Sequence, residues 1–203
     1  GKRLRIVFPE GTDERVVRAA ARLKFEGLVE PIILGVPEDV HTLLTDFGFS
    51  NPGITVINPN NYANFDTMRQ EFITLRKGKV DESQADEILR DVNYFGVMLV
   101  QLGLAEGMVS GAIHSTADTV RPALQIIKTK PGVKRTSGVF LMVKDQHKFV
   151  FGDCAINIEP DAETLAEIAI QSAETAKTFG IDPKVAMISY STKGSGSGPR
   201  VDK

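Results

Sequence analysis

The chain has 203 residues, 42% hydrophobic and 25% charged, with a formal net charge of −2 and an isoelectric point near 6.0. Those proportions are typical of a globular protein with a packed core, and with no long basic run nucleic-acid or anionic-membrane binding gains no support. No apolar stretch reaches membrane-spanning length, no secretory signal pattern opens the sequence, and the single Cys154 allows no internal disulfide and joins no Cys/His cluster of zinc spacing, so the cytoplasm is the expected setting and no metal is expected.

Arg5–Phe8 predicts a first strand, closed by Pro9-Glu10-Gly11. Thr12 is the expected cap of a helix over Asp13–Glu26, with acidic residues in its first turn and Gly27 past its end. Val16, Val17, Ala20, Ala21 and Leu23 make the buried stripe of that helix. Glu10 and Asp13 also read as a paired-carboxylate site, but the helix start accounts for both. Pro31–Leu34 and Thr55–Ile57 predict two more strands with a short helix, Glu38–Asp46, between them. This alternation predicts an α/β fold with a parallel sheet and helices on its faces.

Phe65–Leu75 has helical spacing and runs into Arg76-Lys77-Gly78-Lys79, cations that complement a helix C-terminus on a solvated face. Asp81 with Gln84 is a capping-box start for a helix through Arg90. Val92–Leu102 is strongly apolar and predicts a helix packed on the sheet. Its Tyr94 reads as a core aromatic or as a pocket residue.

The densest chemistry lies in Met108–Leu124, MVSGAIHSTADTVRPAL. Met108–Ser110 predicts a short buried strand that ends at Gly111, and Arg121-Pro122 leads into an apolar helix through Ala123, Leu124, Ile126 and Ile127. A strand that breaks at small residues and opens a helix aims free backbone N–H groups and a positive dipole end at one spot, an arrangement suited to an anion. Ser110, Gly111, Ser115, Thr116 and Arg121 supply further donors, and an arginine grips phosphate with two parallel bonds. The plainer reading is a strand–loop–helix connection in which Ser115 and Asp118 only cap the helix.

Lys128–Gly132, with its Pro-Gly turn, predicts the boundary between a first domain, 1–131, and the start of a second, 132–203. Gly138–Val143 and Lys148–Gly152 predict an antiparallel hairpin, Asp161–Phe179 an amphipathic helix, and Lys184–Tyr190 a buried strand. The Ser- and Gly-rich Ser191–Gly198 lacks the Gly-x-x-x-x-Gly-Lys-Ser/Thr spacing of a phosphate loop, and by composition alone reads as a mobile tail.

The segment SGAIHSTADTVRPALQIIKTKPG resembles the signature of the phosphate acetyl/butyryltransferase family, whose acetyltransferases move acetyl between acetyl phosphate and coenzyme A. VFPEGTDERV (Val7–Val16), VNYFGVML (Val92–Leu99), FGDCAIN (Phe151–Asn157) and SYSTKGS (Ser189–Ser195) agree in the same order. The resemblance implies two three-layer α/β domains with a cleft between them, similar to the isocitrate/isopropylmalate dehydrogenase-like fold, in a homodimer. It implies acetyl phosphate, coenzyme A and phosphate as partners, with coenzyme A a substrate and no tightly bound cofactor. It places Arg76 at a substrate-contacting position and puts Thr192 and Lys193 beside the cleft. The family pattern continues past Lys203, and its catalytic aspartate belongs to that continuation, so the sequence looks like a fragment.

Acetyl transfer to a thiol requires a phosphate site, donors for the oxyanion that forms on the carbonyl, and a base, because a thiol of pKa near 8.5 is mostly protonated at neutral pH. Arg121 and Arg76 suit the phosphate, while Ser110, Gly111, Ser115 and Thr116 suit either the phosphate or the oxyanion. His114 is the histidine of the signature and reads as a substrate contact or as a structural hydrogen-bonding residue; no base is assigned. Cys154 reads as an inert thiol, since acyl phosphates are attacked directly by coenzyme A. The alternatives are a butyryltransferase, a non-catalytic acyl-phosphate-binding fragment, and a piece of a malic enzyme's C-terminal domain, against which the missing malic portion argues.

Overall fold

In the computed structural model, residues 2–49, 53–189 and 191–202 are described, and the chain divides into two compact units, Gly1–Lys128 and Thr129–Lys203. The N-terminal unit contains β1 (Arg5–Phe8), α1 (Glu14–Phe25), β2 (Glu30–Leu34), α2 (Pro37–Asp46), β3 (Thr55–Ile57), α3 (Phe65–Arg76), α4 (Glu82–Leu89), α5 (Val92–Gln101), β4 (Gly107–Met108) and α6 (Thr116–Ile126). Its strands form one parallel sheet in the order β3-β2-β1-β4, with Val7 opposite Ile32 on one side and Met108 on the other.

Strand side chains alternate between faces, and both faces are buried. Val7, Ile32 and Leu34 join Met68 and Phe72 of α3 and Phe95 and Met98 of α5 in one cluster. Phe8 and Ile33 join Val17, Ala20 and Ala21 of α1 and Val40 and Leu44 of α2 in the other. The sheet therefore carries helices on both sides. Helix α5 lies close against β1 and β4 because Gly96 has no side chain: a Cβ there would stand 2.7 Å from Met108 Sδ and 3.2 Å from Val7 Cγ1.

The helix starts follow from their caps. Asp13, rather than Thr12, caps α1, its carboxylate accepting the Arg15 and Val16 N–H groups; a carboxylate reaches both donors and favours the positive end of the dipole. Asp81 and Gln84 make the expected reciprocal capping box of α4. Ser115 caps α6 at Thr116, so the helix begins before Arg121-Pro122 and holds Pro122 inside it. Strand β4 ends at Met108, and Val109 is 58% exposed rather than buried.

The C-terminal unit contains the hairpin of β5 (Val139–Lys144) and β6 (His147–Gly152), α7 (Ala162–Thr178) and the short α8 (Pro199–Asp202). Helix α7 packs on β6, is capped by Asp161 and is tied to the preceding segment by Ser137–Gln171 and Lys134–Glu163 contacts. The strand expected over Lys184–Tyr190 does not form. Residues 184–189 are irregular, with Met187 61% and Ile188 92% exposed, and Tyr190 lies outside the described residues. A strand needs a neighbouring ladder, and among the described residues none pairs with this stretch.

Candidate active site

The chain runs from β1 outward to β2 and β3, then returns to place β4 on the far side of β1. The carboxyl ends of β1 and β4 thus flank the point where strand order reverses, the usual ligand position in an open parallel sheet. Glu10 follows β1 and the Ser110–Ser115 loop follows β4, so the topology brings them together.

The loop folds around the Glu10 carboxylate. Its oxygens accept the N–H groups of Gly111 (3.2 Å), Ala112 (2.9 Å), Ile113 (2.8 Å) and His114 (3.1 Å), and His114 Nδ1 lies 2.8 Å from Oε1. The Glu10 side chain is only 1% exposed. Burial pushes its carboxyl upward, but the bonds from the Ile113 N–H, the His114 ring, and the Ala112 and His114 N–H groups outweigh it and hold the pKa at about 2. The Arg15 guanidinium, paired with Asp13 and donating to the Ala112 carbonyl, adds a nearby positive charge.

This fills the ring of amides expected to receive an external anion. The Gly111 N–H is bound to Glu10, and the Ser110 and Ser115 hydroxyls are also committed. Ser110 donates to Asn93 Oδ1 at 2.6 Å. The Ser115 hydroxyl donates to Asp118 at 2.6 Å and accepts the Asp118 N–H. Thr116, at the first turn of α6, is exposed, and its hydroxyl makes no hydrogen bond among the described residues. The His114 side chain is 24% exposed, and its Nε2 has no partner among the described residues.

The two arginines behave differently. Arg76 ends α3, and Arg121 is exposed on α6. Neither forms an ion pair or hydrogen bond among the described residues, and Arg76 Nε is buried without a partner. Both act on the Tyr94 hydroxyl of α5, which donates to Gln125 of α6 at 3.0 Å. Burial raises the Tyr94 pKa, and the positive charges of Arg121 and Arg76 oppose that rise. Tyr94 is therefore half-buried and within the electrostatic reach of both guanidinium groups, neither wholly core nor wholly pocket. Asn93, one residue earlier, is fully buried, and its Nδ2 lacks a partner.

In the C-terminal unit, Thr192 and Lys193 sit on an exposed loop tied to itself. The Thr192 N–H donates to the Ser195 hydroxyl, and the Ser191 hydroxyl donates to the Gly196 carbonyl while accepting the Gly196 N–H. Lys193 adopts a left-handed backbone with φ of 51°. The tail-like composition hides hydroxyls at the spacing a turn requires. Asp153, beside Cys154, accepts N–H groups from Gly138, Ala155, Ile156 and Asn157. Burial pushes its carboxyl up, and bonds from Ala155, Gly138 and Asn157 prevail, holding it at about 2.

Asn93, Gln125 and Asp153 escape a reading of local sequence, and Glu10, read there as part of the start of α1, instead closes the loop after β4. Glu10 meets partners 101 to 104 residues away, and only its place after a parallel strand hints at a role. Among the described residues no group of three or more His, Cys, Asp or Glu side chains gathers as metal ligands, and no helix is long and apolar enough to cross a membrane.

A family model described as phosphate acetyl/butaryl transferase matches residues 1–203. The chain is 52% identical over its whole length to a phosphate acetyltransferase of Bacillus subtilis, covering 63% of that protein, and 54% identical to one of Staphylococcus aureus, covering 62%. Among solved structures, a phosphotransacetylase from Streptococcus pyogenes is 69% identical with a TM-score of 0.93, and the EutD phosphotransacetylase from Staphylococcus aureus is 53% identical with a TM-score of 0.88. Each covers all of this chain, which spans 62% of either one.

Proposed function

The chain belongs to the phosphate acetyl/butaryl transferase family, and from that premise we propose that the protein carrying it transfers acetyl reversibly between acetyl phosphate and coenzyme A. The observation that carries this reading is the pair of guanidinium groups, Arg76 and Arg121, that form no ion pair or hydrogen bond among the described residues and both act on the Tyr94 hydroxyl. A charged hydrogen bond to phosphate contributes roughly 1.5–3 kcal/mol, and two arginines offer fork-shaped recognition of a phosphate that a lysine cannot match.

Coenzyme A sulfur attacks the acetyl carbonyl carbon, and the carbonyl oxygen becomes the oxyanion. Collapse breaks the bond to the phosphate oxygen, yielding the thioester and inorganic phosphate. Arg76 and Arg121 hold the phosphate and stabilise its growing charge, and the Thr116 hydroxyl and His114, at the start of α6, are proposed as further substrate contacts. Ser110, Gly111 and Ser115 shape the loop through their internal bonds. Thr192 and Lys193 are proposed as further substrate contacts on family resemblance, with Lys193 supplying an exposed cation. The thiol's base is not assigned to any residue here. For the complete protein, the two-domain dehydrogenase-like architecture, the homodimer and the cytoplasmic setting belong to the same proposal.

The test is thioester formation by the complete protein from acetyl phosphate and coenzyme A. Arg121→Ala is expected to raise the KM for acetyl phosphate at least tenfold, a loss of roughly 1.4 kcal/mol or more in binding, and to leave that for coenzyme A within about twofold. Unchanged kinetics would remove Arg121 from the site.

A further inference from the structure

We propose that His114 is a catalytic residue that exchanges a proton with the phosphate through Nε2, and that Glu10 is the positioning residue that holds its ring for this task. The inference rests on the acetyl-transfer reading above and adds a step to it.

The geometry begins at Nδ1, 2.8 Å from a Glu10 carboxylate that is buried and ionised. A carboxylate only accepts hydrogen bonds, so Nδ1 carries a proton. The bond made by one imidazole nitrogen sets the state of the other, which leaves Nε2 as the nitrogen able to gain and lose a proton. A buried acid that fixes the tautomer and balances the imidazolium is the working part of many histidine-based sites. Glu10 suits that task because four backbone N–H groups fix its own position. The charged groups facing this pair are Asp118, whose carboxylate feels both His114 and Arg121, and Arg15, which feels Glu10. His114 and the proposed phosphate-holding Arg121 therefore lie around the same carboxylate.

The chemistry supplies a reason for the step. When coenzyme A attacks acetyl phosphate, the breaking carbon–oxygen bond leaves its electron pair on phosphate, and a proton arriving on that oxygen avoids a departing trianion. Protonated His114 gives up its Nε2 proton as that bond breaks. The proton lost by the thiol replaces it before the next turnover, so the balance is acetyl phosphate plus thiol to thioester plus hydrogen phosphate. In the opposite direction Nε2 takes the proton from hydrogen phosphate as it attacks the thioester. Loss of a general acid lowers rate by about 100-fold or more.

The decisive variant is His114→Asn in the complete protein, whose carboxamide still reaches Glu10 from near the Nδ1 position. The expected result is a kcat lower by about 100-fold with both KM values within about threefold and added imidazole restoring part of the rate. A kcat close to that of the unmodified protein, or a change confined to KM, would overturn the proposal. If the unmodified protein forms no thioester, the acetyl-transfer reading itself has failed. Nitrogen-15 spectra of labelled histidine separately test the geometry. The neutral His114 ring is expected to carry its proton on Nδ1, and a proton on Nε2 instead would refute the role given to Glu10.

Discussion

Arg76 shows how a single side chain can be costly to the fold and useful to the site. Its Nε is buried without a hydrogen-bond partner, and an unsatisfied buried donor costs about 1–3 kcal/mol. Replacing it with an apolar side chain of similar length removes that cost together with the positive charge. Arg76→Met is therefore expected to melt at the same temperature as the unmodified protein or slightly above it. It is also expected to lose most of the rise in melting temperature that millimolar phosphate gives the unmodified protein, because ligand stabilisation depends on affinity. An undiminished response to phosphate would show that Arg76 is not a phosphate ligand. The same reasoning explains why the sequence points to this residue only ambiguously. Three cations at the end of α3 fit a solvated helix terminus, and only the packing of α6 against α3, with Tyr94 of α5 edge-on to Phe72, separates the half-buried Arg76 from the exposed Lys77 and Lys79.

Among the elements, those legible in advance carry their own instructions. The apolar runs of β1, β2 and β3, the stripe of α1 and the capping box of α4 are local patterns, and the sheet follows from their alternation. What local pattern does not reveal is the partner of each element. Residues 184–189 have a strand's composition but no ladder to join, and the amides of Gly111–His114 look free until Glu10 arrives from 101 to 104 residues away. Long-range contacts of this kind are set by strand order. Gly11 makes the dependence testable, since its N–H donates to the Leu34 carbonyl at 3.1 Å and a Cβ there would lie 2.2 Å from that same oxygen. Backbone on both sides leaves no cheap way to relax. Gly11→Ala is expected to destabilise the fold by about 3 kcal/mol and, by shifting the neighbouring Glu10, to loosen the loop after β4. Urea unfolding followed by circular dichroism measures the first effect, and amide exchange at Gly111–His114 the second. An unchanged urea midpoint would mean that the turn after β1 is more pliant than its contacts imply.

Among the described residues one device is used twice. In each compact unit a carboxylate that follows a strand closes a loop by accepting four backbone N–H groups: Glu10 with Gly111–His114, and Asp153 with Gly138, Ala155, Ile156 and Asn157. Both carboxyls are held at about 2 in the fold, against ordinary values of 4.5 and 3.8. The unfolded chain therefore binds protons more readily than the folded one in this range. Stability contributed by these groups is complete above about pH 5 and is lost as the pH falls toward 2. For the almost fully buried Glu10 the loss amounts to roughly 3 kcal/mol by linkage. The urea midpoint is accordingly expected to fall steeply between pH 5 and pH 3. Glu10→Gln is expected to start from a lower midpoint at pH 7 and to show a shallower acid dependence, because one of the protonation steps has already been replaced. Parallel pH curves for the two proteins would mean that acid acts elsewhere, on Asp153 or on the pairs of Asp13 with Arg15 and Glu106 with Arg5, whose carboxyls are also held at about 2. A shallower curve for the variant would place the acid-sensitive lock at the same carboxylate that orients His114, tying the stability of the N-terminal unit to the geometry of its candidate site.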